Sequence, residues 1–204
     1  MTKLTNLIFR SSLAIAIIFN IVAVGRAKAE DVNNFDQLKN AISDGKTEIA
    51  IKNTIDFIAD GPVINYNDII ISGPSENAPG LLDGRNNHKL LTFGESAKNI
   101  SLKNLHLKNG SNENGFGYDN YGGAINLGAG VVINLEGLTF SNNQSISQGG
   151  AIYSRGTDND NRNSLNFTGK TIFDGNKTIV VGNEGGAIYV FYSILTFGKG
   201  PTTF

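Results

Sequence analysis

The chain has 204 residues, 17 of them Lys or Arg and 18 Asp or Glu, and it has no cysteine; one domain fills that length, and a disulfide scaffold or cysteine metal site is excluded. Four of the basic residues (Lys3, Arg10, Arg26 and Lys28) and none of the acids lie in the first 29 positions, so the remainder carries 13 basic against 18 acidic side chains, a net charge of −5. That sign speaks against a nucleic acid or an anionic membrane as partner, since either calls for a basic face.

Residues 1–29 read as an export signal. Lys3 and Arg10 form a positive start, an apolar run extends from Leu13 to Val24 with Asn20 as its single interruption, and Ala27-Lys28-Ala29 supplies the small-x-small pattern of a cleavage site. Cleavage between Ala29 and Glu30 is expected. An uncleaved anchor fits less well, because a twelve-residue apolar helix spans roughly 18 Å against about 30 Å of hydrocarbon.

Residues 30–45 are expected to form one short amphipathic helix or cap. Phe35, Leu38 and Ile42 recur at helical spacing, Asn33 or Asn34 can cap the start, and Gly45 ends the segment. From residue 46 to 204 the helical period is gone. Asparagine occurs 27 times and glycine 25 times, about a quarter of the chain together, and both tolerate left-handed backbone, so the chain must turn often. Short strands are expected at Glu48–Lys52, Asp68–Ile71, Leu90–Phe93 and through Ile100–Leu107. In the last of these the inward positions Ile100 and Leu102 give way to Leu105 and Leu107, a one-residue phase slip that marks a corner at Asn104.

The second half repeats openly. Gly-Gly-Ala-Ile stands at Gly122-Gly123-Ala124-Ile125, at Gly149-Gly150-Ala151-Ile152 and at Gly185-Gly186-Ala187-Ile188, and Phe-x-x-Asn at Phe140–Asn143 and Phe173–Asn176. Recurrence at this period indicates stacked units that bury their apolar faces against one another. The glycine pair permits a tight turn where backbones approach closely. In the strand that follows, Ile points inward, while Ala and a stripe of Asn126, Tyr153 and Tyr189 point outward. Phe140 and Phe173 are expected to stack inside the coil, with Asn143 and Asn176 as a ladder of turn amides. The expected fold is all-β, a right-handed parallel β-helix (β-solenoid) with a short amino-terminal helix after a signal peptide.

Gly-Gly-Ala-Ile paired with Phe-x-x-Asn resembles the repeat of the chlamydial polymorphic outer membrane proteins. More broadly, residues 46–204 resemble autotransporter passenger domains of the pectin-lyase-like kind. The lead-in carries that likeness too, from Leu81-Leu82-Asp83-Gly84 through Leu90–Phe93 to Ile100–Gly110. The resemblance implies an exported, non-catalytic surface passenger with an adhesin-like role, a host-surface protein or glycan as partner, and outer-membrane association through a carboxyl-terminal part beyond this chain.

The competing class is a β-helix polysaccharide lyase or hydrolase, and a third is a functionless remnant of a longer autotransporter. The Gly-His-Gly and Arg-Ile-Lys strings of polygalacturonase-like enzymes are absent, and neither His88 nor His106 has an identifiable partner in the sequence. Asp158-Asn159-Asp160 suggests a calcium loop, but Arg162 falls where a further ligand is wanted, so a solvated insertion is the expectation. Asp83-Gly84-Arg85 reads as a turn in which Asp caps its own backbone. No catalytic, metal or cofactor residue is expected; Tyr153 and Tyr189 are the candidate contact stripe, the competing role being ring stacking along the coil. A calcium-dependent assay on polygalacturonate separates the enzymatic from the non-enzymatic class.

Ser164–Phe167 with Phe173 parallels Ser193–Phe197 with Phe204, so the sequence stops on the Phe of a further Phe-x-x-Asn, as the amino-terminal piece of a longer protein is expected to do. A coil left open in this way invites edge pairing. The isolated 204-residue product is expected to be poorly soluble unless another coil or a partner covers that end; a monodisperse monomer in gel filtration would contradict this.

Overall fold

Residues with apolar side chains at alternate positions bury one side of a strand and leave the other to solvent or to a neighbour. In this chain such strands are two to six residues long, and each pairs in parallel with its counterpart one coil away. The computed structural model describes residues 28–95, 97–112, 121–180 and 184–204. The expected signal segment lies almost wholly outside them, and Glu30 opens the first strand.

Three long parallel sheets wrap the core. The first collects Glu30–Val32, Glu48–Ile51, Ile70–Ser72, Ile100–Lys103, Val132–Glu136, Asn163–Thr168 and Ser193–Phe197. The second runs through Ile55–Asp56, Gly80–Asp83, Leu105–Lys108, Thr139–Ser141, Thr171–Asp174 and Thr202–Thr203. The third joins Val63–Ile64, Leu91–Phe93, Ile125–Leu127, Ile152–Arg155 and Ile188–Phe191. A short fourth ladder, Ser111–Asn112, Gln144–Ser145 and Lys177–Thr178, lines the corner between the second and third. The chain visits the sheets in that order and then steps up one coil, so the fold is a parallel β-helix. One cluster of buried side chains fills it, among them Ile71, Leu102, Ile133 and Leu165 from the first sheet and Leu82, Leu107 and Phe140 from the second.

The expected helix forms, but later in the chain. It spans Phe35–Ser43, with the Asn34 side chain accepting from the Gln37 N–H at 3.0 Å. Phe35, Leu38, Ala41 and Ile42 are buried, and the Phe35 ring meets Phe57 at 5.1 Å, so the helix covers the amino-terminal end of the core. Residues 30–32, assigned to the helix from sequence, are a strand in register with Ile49–Ile51. The physical reason is the free edge of Glu48–Ile51, which offers ladder hydrogen bonds and an inward slot for Val32 that a helical turn would forgo. Gly45, expected to end the helix, follows an Asp44 cap and takes φ of 67°.

Corners need left-handed backbone, and the sequence supplies it in columns. Asn104, Gly137 and Gly169, with φ of 51°, 62° and 68°, occupy successive turns between the first and second sheets, the corner announced by the phase slip at Asn104. Asn109, Asn142 and Gly175 do the same after the second sheet. The next residue in that turn carries the ladder. The Asn143 Oδ1 accepts the Gly110 N–H at 2.8 Å, and its Nδ2 donates to the Leu107 carbonyl at 3.0 Å. One coil on, the Asn176 Oδ1 accepts the Asn143 N–H at 3.0 Å, and its Nδ2 donates to the Phe140 carbonyl at 2.9 Å. The two amides also bond each other at 2.9 Å. Inside, Phe140 and Phe173 stack at 4.8 Å, and Phe204 continues the column at 5.0 Å from Phe173, as Phe197 does on Phe167.

Asn143 is fully buried and serves two backbone groups, so Asn143→Leu is expected to cost about 3 kcal/mol, since each orphaned buried group costs roughly 1–3 kcal/mol. Asn142→Gly, at a left-handed position, is expected to change stability by no more than about 0.5 kcal/mol. Chemical denaturation of both variants checks the pair.

Candidate functional site

The Gly-Gly-Ala-Ile motif divides its labour by position. Gly122, Gly149 and Gly185 all take left-handed backbone, with φ of 63°, 61° and 70°. The second glycine is chosen by space: a Cβ on Gly123 would stand 2.4 Å from the Gln144 carbonyl oxygen, and one on Gly150 2.3 Å from that of Gly186. Ile125 and Ile152 are buried as expected, and Ile188 packs against the same core. Ala124 and Ala151, expected on the outward side, are instead fully buried. They sit in the corner itself, before the pleat begins at Ile125 and Ile152, so strand alternation does not govern them.

The next position builds a surface column. Thr92, Asn126, Tyr153 and Tyr189 lie side by side in register across the third sheet. Tyr153, a candidate contact residue with ring stacking along the coil as the competing role, is only 6% exposed. Its ring is sandwiched between Tyr121 at 4.2 Å and Tyr189 at 5.4 Å, nearly parallel to both. Stacking therefore covers Tyr153, while Tyr189 at the next position remains partly exposed. Tyr121 was not singled out in the sequence, because it precedes the motif outside any strand alternation.

An open cleft of about 510 Å³ lies beside this column across three successive coils, lined by Thr92, Glu95, Tyr121, Asn126, Tyr153 and Arg155 among others. Burial raises the Tyr153 phenol above its ordinary pKa, against a hydrogen bond from Arg155 that lowers it. That bond to Tyr153 raises the Arg155 guanidinium in turn, and its carbon stands 5.5 Å from the centre of the Phe191 ring.

The other candidates resolve into local structure. In Asp83-Gly84-Arg85 the Asp83 Oδ1 accepts the Arg85 N–H at 2.9 Å, the expected self-capped turn. Asp83 also receives Asn109 at 3.0 Å and Lys108 at 3.1 Å. Burial pushes its carboxyl up, but these hydrogen bonds and the Lys108 charge together hold it below the usual range. In the 157–162 loop the Asp158 Oδ1 accepts the N–H groups of Asp160 and Asn161, both at 2.9 Å, so the loop's own donors occupy that oxygen. His88 stands 3.8 Å from Asp60. His106 is half-buried with its Nε2 2.7 Å from the Ser141 hydroxyl, a partner invisible in sequence because it comes from the next coil.

Parallel strands stacked on asparagine, glycine and aromatic columns define a repeat-built parallel β-solenoid. Residues 137–155 and 170–190 match the model of the Chlamydia polymorphic membrane protein repeat, so these two stretches are similar to that repeat. Each match contains one Phe-x-x-Asn and the Gly-Gly-Ala-Ile that follows it. No curated protein and no solved structure matches the chain.

His106 carries a pH prediction. Burial, reinforced by the Lys108 charge and opposed by Asp83, lowers its pKa from the usual 6.5, so the fold prefers the neutral ring. The unfolded chain then takes the proton first, and stability, complete above the unfolded value, falls as pH drops through it towards the folded one. His106→Asn is expected to flatten the loss of stability between about pH 7 and pH 5, read from denaturation midpoints across that interval.

Proposed function

We propose that this chain is a display segment of an exported surface protein, non-catalytic and adhesin-like, whose coil holds side faces and loops towards another cell surface. The observation that supports this most directly is the coincidence of the matched repeats with the stacking elements. The matched stretches contain the Phe-x-x-Asn and Gly-Gly-Ala-Ile residues that set corners, the amide ladder and the aromatic column, and the outward sheet faces lie between them. Function in such a coil belongs to those faces rather than to the motif. The partner is a protein or glycan of the opposing surface, and the mature charge of −5 agrees with a contact that does not rest on polyanion attraction.

Beads coated with the folded chain are expected to adhere to epithelial cells several-fold more than beads coated with the heat-denatured chain. Equal adherence of the two would remove the contact role.

A further inference from the structure

The cleft on the third sheet combines features that the coil does not need for its own stability. Within the tyrosine column, Tyr153 has a ring on both sides, whereas Tyr121 has a ring partner in Tyr153 alone among the described residues. Tyr121 is partly exposed and lines the cleft. Two polar side chains of the same cleft are also unused. The Asn126 amide and the Glu95 carboxylate make no hydrogen bond or ion pair with any described residue, whereas the asparagines of the Phe-x-x-Asn corners are fully committed. Arg155 completes the wall, held by the Tyr153 hydroxyl and the Phe191 ring, with no carboxylate paired to it among the described residues.

We propose that this cleft is a binding site for a neutral oligosaccharide. A pyranose presents hydroxyls on its rim and C–H groups on its face. An amide offers a donor and an acceptor, a carboxylate two acceptors and a guanidinium several donors, a set that matches paired hydroxyls, while the Tyr121 face takes the C–H side. The volume of about 510 Å³ falls within the roughly 300–1,000 Å³ of small-ligand sites, and the cleft's extension over three coils suits a short linear chain of sugars. Charge selects among glycans. Glu95 inside the cleft and the net −5 of the mature chain disfavour sulfated or uronate polymers. An extended peptide is a poorer occupant, because the cleft lies on a sheet face where the backbone groups are already paired between coils, and strand addition needs an open edge. The proposal rests on the surface-contact reading above and names the chemistry one face of the coil contacts.

Saturation-transfer NMR and calorimetry on the purified chain, with maltohexaose, chitohexaose and cellohexaose as neutral probes and heparin and polygalacturonate as anionic ones, test it. At least one neutral probe is expected to bind saturably, and the anionic probes more weakly. Asn126→Ala and Tyr121→Leu are each expected to weaken binding about tenfold, the equivalent of one lost hydrogen bond or ring contact, with circular dichroism unchanged in both and the melting temperature unchanged in Asn126→Ala. Absence of saturable binding by all three neutral probes, affinity unaltered in both variants, or a preference for heparin would each overturn it. Cell adherence of coated beads without oligosaccharide binding sinks the cleft assignment and leaves the contact role standing; oligosaccharide binding without adherence does the reverse.

Discussion

Backbones of successive coils must run side by side at the spacing of a parallel sheet, about 4.8 Å, around every corner as well as along every strand. Everything else in the molecule answers to that constraint. Along strands it is met by ladder hydrogen bonds and by columns of like side chains. At corners, where the ladder is interrupted, it is met by omission and by substitution as well. Gly123 and Gly150 carry no Cβ because a carbonyl of the neighbouring coil stands where one would go, and Asn143 and Asn176 replace the missing backbone bonds with side-chain amides. A motif of four residues thus records a distance between chains rather than a chemistry.

This explains which parts were legible in the sequence. The strands Ile100–Lys103 and Leu105–Lys108, the corner between them and the inward isoleucines followed from local alternation and from Asn and Gly placement. So did the pairing of Phe140 with Phe173, because repeats bring equivalent positions together. Two-residue strands such as Ile55–Asp56 and Val63–Ile64 carry no periodic signal of their own and exist because a neighbouring coil pairs with them. The strand at Glu30–Val32 exists for the same reason, against a local pattern that favoured helix.

The candidate site was legible only in part. Asn126, Tyr153 and Tyr189 share one column of the register, as strand alternation indicates. Exposure was not legible, since whether an outward ring is free depends on what stands one coil above and below. Tyr153 is closed by Tyr121 and Tyr189, and the opening falls beside Tyr121, a residue whose position is set by the turn before the glycine pair. His106 shows the same limit, its partner Ser141 being 35 residues away and one coil on.

The asparagine ladder also gives the coil a grain. Each amide reaches towards the amino-terminal neighbour: Asn143 completes the corner at Leu107 and Gly110, and Asn176 completes the corner at Phe140 and Asn143. A corner is therefore finished by the coil that comes after it. Peeling from either end breaks the backbone ladder between coils, but peeling from the carboxyl end also takes away the amide and bares the two backbone groups it served, whereas peeling from the amino end leaves the amide of the next coil in place. The two ends are unequal in what their loss exposes, and mechanical or proteolytic erosion of the rod has a direction built in.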